Sequence, residues 1–231
     1  MSNELATLDL NQLPTTQLGS DESFMELAKG GDFLSYVKLF TKGKAIDTGK
    51  IIPGHWGIPE ADEAITDLGD SIDILPLARR PKALDVSDKS AIVVSYDNQA
   101  PAFLDIQARS TTPSSGCQHG ISFLVFEKTT GQFLEVYFGN KSSRPEAKKL
   151  YPFLPLTAAD IERRGLDVEP HGPLPVTLKA RYAENAKGTW HTPVVVKSLT
   201  PISLPSTEAV VKEITKFLTI KSGGVEKVAE K

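Results

Sequence analysis

The chain has a single cysteine, Cys117, among its 231 residues. That excludes an internal disulfide and leaves the fold to be held by packing, as expected in a reducing compartment. No run approaches the roughly 18 apolar residues of a membrane span. The opening residues MSNELATLDLNQLPTTQLGSDES have neither a basic n-region nor an apolar h-region, so no secretory signal is expected. Phosphate-binding loops are missing too: there is no G-x-x-x-x-G-K-[ST] and no G-x-G-x-x-G, and Gly43-Lys44 and Gly49-Lys50 stand isolated. Cys117 with His55, His119, His171 and His191 shows no paired spacing of the kind a zinc site needs. The stretch DEAITDLGDSID lacks the Asp/Asn alternation and closing Glu of a calcium loop and reads as a solvated acidic loop. Cys117-Gln118-His119 lies in the turn SSGCQHG with no acid spaced to orient the imidazole. No catalytic residue, metal or cofactor is therefore expected.

What the chain does have is apolar material, 40% of residues against 24% charged, which suffices for one compact domain with appended arms. Residues Met1–Ser23 are polar and acidic and read as a flexible arm. Residues 24–205 form the expected single β domain, and 206–231 a helix with a mobile tail. Phe24–Gly30 reads as a short helix ending at Gly30-Gly31. From Asp32–Phe40 onward the period is that of strands, with candidates at Lys50–Trp56, Ser71–Ala78, Ala91–Tyr96, Ile121–Glu127, Gln132–Phe138, Val176–Tyr182 and Val194–Ser198, most bounded by Gly, Pro, Asn or Asp. FLVFEKTTGQFLEVYF reads as a hairpin around Lys128-Thr129-Thr130-Gly131, and a second hairpin joins Val176–Tyr182 to Trp190–Lys197.

Helical signals are few. They fall at Pro81–Val86, Pro101–Arg109, Arg144–Tyr151, Thr157–Arg164 with Thr157 as N-cap, and Thr207–Leu218 with Ser206 as N-cap. Seven or eight short strands with few helices point to a mainly β fold, an OB-like antiparallel barrel with short helices and flexible termini, or alternatively a β-sandwich.

A net charge of −3 conceals a divided chain. Lys38–Lys50, Arg79–Lys89, Lys141–Lys149 and Lys179–Lys197 are net positive, while Glu4–Asp32 and Glu60–Asp73 are acidic. Gathered on one face, the basic segments would make a polyanion-binding surface. Aromatic residues stand beside them, and cations that track phosphates next to rings that stack on bases are how single-stranded nucleic acid is held. The expected phosphate contacts are Lys38, Lys42, Lys44, Arg79, Arg80, Lys82, Lys141, Arg144, Lys179 and Arg181. The expected stacking rings are Tyr36, Trp56, Tyr137 and Trp190. An exposed tryptophan would be a stacking platform, whereas a buried one belongs to the core.

At ARRPKALD (Ala78–Asp85), SGCQHGISFLVF (Ser115–Phe126), FGNKSSRPEA (Phe138–Ala147) and TWHTPVV (Thr189–Val195) the chain resembles a family of proteins encoded by tailed bacteriophages. The similarity spans roughly Gly49–Leu204, and no catalytic residues carry over from it. The β-rich layout is similar, at the level of the fold, to phage single-stranded-DNA-binding proteins of the OB-fold type. Such proteins commonly end in an acidic tail that recruits replication partners, whereas Lys221–Lys231 is mixed in charge.

The resemblance implies a non-enzymatic protein that coats single-stranded DNA during viral replication or recombination in the cytoplasm of the infected cell. Its partners would be single-stranded DNA, viral replication proteins and further copies of itself, with no membrane. The alternative is a virion structural protein, capsid-decorating or tail-associated.

Overall fold

In the computed structural model the described residues are 34–60, 63–88, 91–112, 114–185, 188–220 and 223–226. The strands are β1 (Tyr36–Leu39), β2 (Trp56–Pro59), β3 (Ile65–Gly69), β4 (Ser71–Asp85), β5 (Ala91–Ser95), β6 (Cys117–Glu127), β7 (Gln132–Phe138), β8 (Val176–Asn185), β9 (Gly188–Lys197) and β10 (Gly223–Glu226). Between them lie the helices α1 (Lys44–Asp47), α2 (Pro101–Arg109), α3 (Arg144–Lys149), α4 (Ala158–Arg164) and α5 (Thr207–Thr219).

The strands pair in the order β10-β5-β4-β6-β7-β1-β2-β3, with the β8–β9 hairpin branching from β4. The protein is mainly β, as expected. The path ends at β3 and β10 without closing, so the strand pairing gives an open sheet in place of the expected barrel. The sheet is also mixed: β1 runs parallel to β7, a strand nearly a hundred residues away, which the reading of successive antiparallel strands does not foresee.

The long strand β4 organises this layout. One edge pairs with β6 from Ile74 to Asp85. The other pairs with β8 over Ser71–Ile74 and with β5 over Ala83–Asp85, leaving the middle of that edge without a strand. Pro76 and Pro81 fall in this uncovered middle, where a missing N–H removes no ladder hydrogen bond. That is why Pro81–Val86, read from sequence as a helical turn, continues the strand.

Alternation along β6 feeds two cores. Phe123 and Val125 join Val37, Trp56, Leu134, Phe138 and Leu178 on one face, beneath α3. Leu124 and Phe126 join Leu75, Leu77 and the α5 residues Val210, Ile214 and Phe217 on the other. The i, i+4, i+7 spacing of those three residues is the stripe that seats α5 on the sheet. A smaller cluster holds α2 to the sheet through Phe103, Ile106, Ala83 and Cys117.

Local signals placed several elements correctly. α2 spans the expected Pro101–Arg109. Thr157 caps α4 by accepting from the Asp160 N–H, and Ser206 caps α5 by accepting from the Ala209 N–H. Both hairpins form, and Gly131 takes a φ of 66° at the first turn. At Gly120 the backbone of β7 comes so close that an added Cβ would lie 1.9 Å from the Phe138 oxygen, so only glycine fits.

Other expectations need correction. Lys50–Trp56 is a loop ending in β2, because Gly54 and His55 are used in backbone hydrogen bonds that fold the chain back against Phe40. The acidic stretch contains strand β3, paired with β2, where a loop was expected. Within the tail expected to be mobile, Gly223–Glu226 pairs antiparallel with β5. The arm Met1–Ser23 and the helix expected at Phe24–Gly30 lie outside the described residues.

Candidate nucleic-acid interface

β1 accompanies β7 only at Tyr36 and Val37, opposite Glu135 and Val136. Lys38 and Leu39 then turn away to pair with Gly57 and Trp56 of β2. The two parallel strands therefore diverge. Between them opens a groove of about 1030 Å³, walled on its far side by the β8–β9 hairpin at Trp190, His191 and Pro193. Its volume is at the upper end for a ligand cleft, large enough for several linked groups.

Polar and aromatic side chains line this groove. Tyr36 is 46% exposed, Tyr137 and Trp190 are half-buried, and Lys38, Lys82 and Lys141 supply positive charge. Lys38 Nζ lies 4.4 Å from the Phe40 ring centre, and burial lowers its pKa. Desolvation likewise raises the hydroxyl pKa of both Tyr36 and Tyr137, which keeps the phenols neutral hydrogen-bond donors. Tyr137 uses its hydroxyl to donate to the Lys82 carbonyl at 3.2 Å.

Beneath the groove lies a buried charge cluster. Burial alone would raise the Glu135 carboxyl, but Lys82 Nζ at 2.8 Å, the Arg80 guanidinium at 3.8 Å and the donating Ser122 hydroxyl outweigh it and hold it below the usual carboxylate range. Lys82 is thus matched internally by Glu135. Lys38 and Lys141 form no salt bridge among the described residues, and they carry the groove's excess positive charge.

The structure brings together only part of the set named from sequence. Tyr36, Lys38, Lys82, Tyr137, Lys141 and Trp190 share the groove. Trp56 is a correction: at 2% exposure it backs the groove wall from within the core and offers no face to a base. Arg80 is a second correction, being only 6% exposed, with its guanidinium between the rings of Tyr96 at 3.5 Å and Phe217 at 4.1 Å.

The other six cations named from sequence stand outside this groove. Arg79 lies over the Tyr151 ring at 4.0 Å. Lys42 and Lys44 line a smaller hollow of about 320 Å³, where Lys44 pairs with Glu63. Lys179 and Arg181 project from β8, exposed, and the charge of Arg181 acts on Glu146. Arg144, finally, is turned toward His119.

Sequence reasoning missed Glu135, the pivot of the buried cluster, and His191, whose ring packs against Gly54. The alternation Phe133-Leu134-Glu135-Val136 placed a charge on a buried strand, and that was the available signal for Glu135. Among the described residues no cluster of His, Cys, Asp or Glu is arranged to hold a metal, and no helix is long and apolar enough to cross a membrane. Comparison with protein-family models, curated proteins and solved structures found no match.

Proposed function

We propose that the protein binds single-stranded DNA in the groove between β1, β7 and the β8–β9 hairpin, without catalysing a reaction. The observation that carries this reading is the convergence, in one groove, of the rings of Tyr36, Tyr137 and Trp190 with the lysines Lys38 and Lys141. Rings of this kind stack on bases for roughly 1–3 kcal/mol each, and lysines beside them follow the phosphates. Together with the resemblance to bacteriophage proteins, this supports a role in coating strands during viral replication or recombination, within the infected cell.

The test is fluorescence anisotropy of a labelled oligo-dT at low and physiological salt, with duplex DNA as competitor. The reading expects salt-sensitive binding that duplex does not displace. Absence of binding at low salt would overturn it and bring forward a structural role in the virion.

A further inference from the structure

At the turn that joins β7 to α3, a further cavity of about 290 Å³ adjoins the groove, sharing Gln118, Asn140 and Lys141 with it. Its remaining walls include Ser110 and Thr112, from the end of α2, and Arg144 at the start of α3. Two cations, hydroxyls and amides therefore face one space, and no carboxylate lines it among the described residues.

Arg144 is not loose in this wall. Its Nη1 donates to His119 Nε2 at 2.8 Å, which requires that nitrogen to be unprotonated. The His119 proton then sits on Nδ1 and is donated to Ser110 Oγ at 2.6 Å, and the Ser110 hydroxyl is donated in turn to the Gln107 carbonyl at 2.7 Å. Each donor in this chain has one acceptor, so the tautomer is fixed. Burial first, and then the charge of Arg144, lower the His119 pKa and keep the ring neutral. Of the groups packed round the ring, from β4, α2 and α3, Arg144 is the one whose charge acts on it. Arg144 Nε, meanwhile, is buried with no hydrogen-bond partner. A donor held in place beside an anion-suited cavity and left unsatisfied lacks an acceptor.

We propose that this cavity binds a phosphate group, held by Arg144 and Lys141 with help from the Thr112 hydroxyl and the Asn140 amide, and that His119 is the positioning residue that aims Arg144. The proposal deepens the single-strand reading, on which it rests for the source of the phosphate: the strand leaves the groove over Asn140–Lys141 and sets one phosphate here. A planar guanidinium fixed by a neutral acceptor is well suited to an oxyanion, since little freedom remains to be lost on binding.

The experiment pairs two probes on the full chain. Inorganic phosphate is titrated while the Arg144 Nε–H and the His119 ring nitrogens are followed by ¹⁵N NMR. Oligo-dT, with and without a 5′-phosphate, is titrated against wild type, Arg144→Gln, His119→Ala and His119→Gln. The proposal expects a saturable shift of Arg144 Nε–H with phosphate and about tenfold weaker oligo-dT binding in Arg144→Gln. His119→Ala should weaken binding by a similar factor, and His119→Gln, whose amide oxygen can still accept from Arg144, should recover part of it.

A gain from the 5′-phosphate would assign the cavity to a strand end, and equal affinities would assign it to an internal phosphate. If oligo-dT binds while Arg144→Gln is neutral and the Arg144 resonance is silent, the phosphate site is overturned and the groove reading stands. If phosphate shifts Arg144 but oligo-dT does not bind, the cavity stands as a site for free phosphate and the groove reading falls. The NMR arm uses only the wild-type chain, so a variant that fails to fold does not remove the test.

Discussion

Arg80→Ala is predicted to destabilise the fold, and the size of the loss follows from three contacts. The guanidinium lies 3.5 Å from the Tyr96 ring centre and 4.1 Å from that of Phe217, and Nη1 donates to the Phe217 carbonyl near the end of α5. Desolvated cation–π contacts are worth about 2 kcal/mol each, and a hydrogen bond from a charged donor roughly 1.5–3 kcal/mol. Against these stands the cost of desolvating the guanidinium, which lowers its pKa. Glu135 keeps Lys82 at 2.8 Å when Arg80 is removed, so it is not left unpaired. The three contacts less the desolvation cost leave an expected loss of about 2–4 kcal/mol, a fall in Tm of about 4–16 °C for a chain of this size.

Arg80→Lys should recover little, because an ammonium cannot lie flat between two rings. Arg79→Ala, one residue away on the exposed side, should cost no more than about 1 kcal/mol. Urea denaturation and calorimetry on the three variants decide the matter. An Arg80→Ala protein melting within a degree or two of wild type would refute the buried-clamp reading.

Three further outcomes follow from the geometry. Lys38→Ala and Lys141→Ala should each weaken oligo-dT binding and reduce the slope of log K against log salt by about 0.7, measured by anisotropy across a salt series. Gly120→Ala should destabilise by about 1–3 kcal/mol in urea denaturation, since the new Cβ meets the Phe138 backbone. The Asp85 carboxyl, held at about 2 from 3.8 by its Ser87 hydrogen bonds and by Arg109, supports the fold fully above pH 4. That support is lost as pH falls through about 2. Acid denaturation should therefore be steeper between pH 4 and 2 in wild type than in Asp85→Asn.

Elements with local causes were legible in the sequence. Pro101 at the first position of α2, the caps Thr157 and Ser206, and the glycine of the β6–β7 turn each act within a few residues, so their signals are short-range. What escaped depends on partners far along the chain. Pro81 is tolerated in β4 because β8 and β5 leave its outer edge bare, a fact of topology. Arg80 resembles any surface cation in a basic cluster until Phe217, 137 residues away, closes over it. The groove exists because β1 changes partner from β7 to β2, and periodicity in residues 36–39 carries no trace of that switch. The rings and lysines named from sequence were thus partly the right ones, but which of them meet is decided by strand order.

The groove reading is tested most directly by intrinsic fluorescence, because the two tryptophans sit in different places: Trp56 in the core, Trp190 in the groove wall. Oligo-dT is titrated into wild type and into Trp190→Phe at low salt. Stacking on Trp190 predicts saturable quenching in wild type that is absent in Trp190→Phe and reversed by added salt. Binding by anisotropy with Trp190 emission unchanged would contradict the groove, and no response in either signal would contradict single-strand binding altogether.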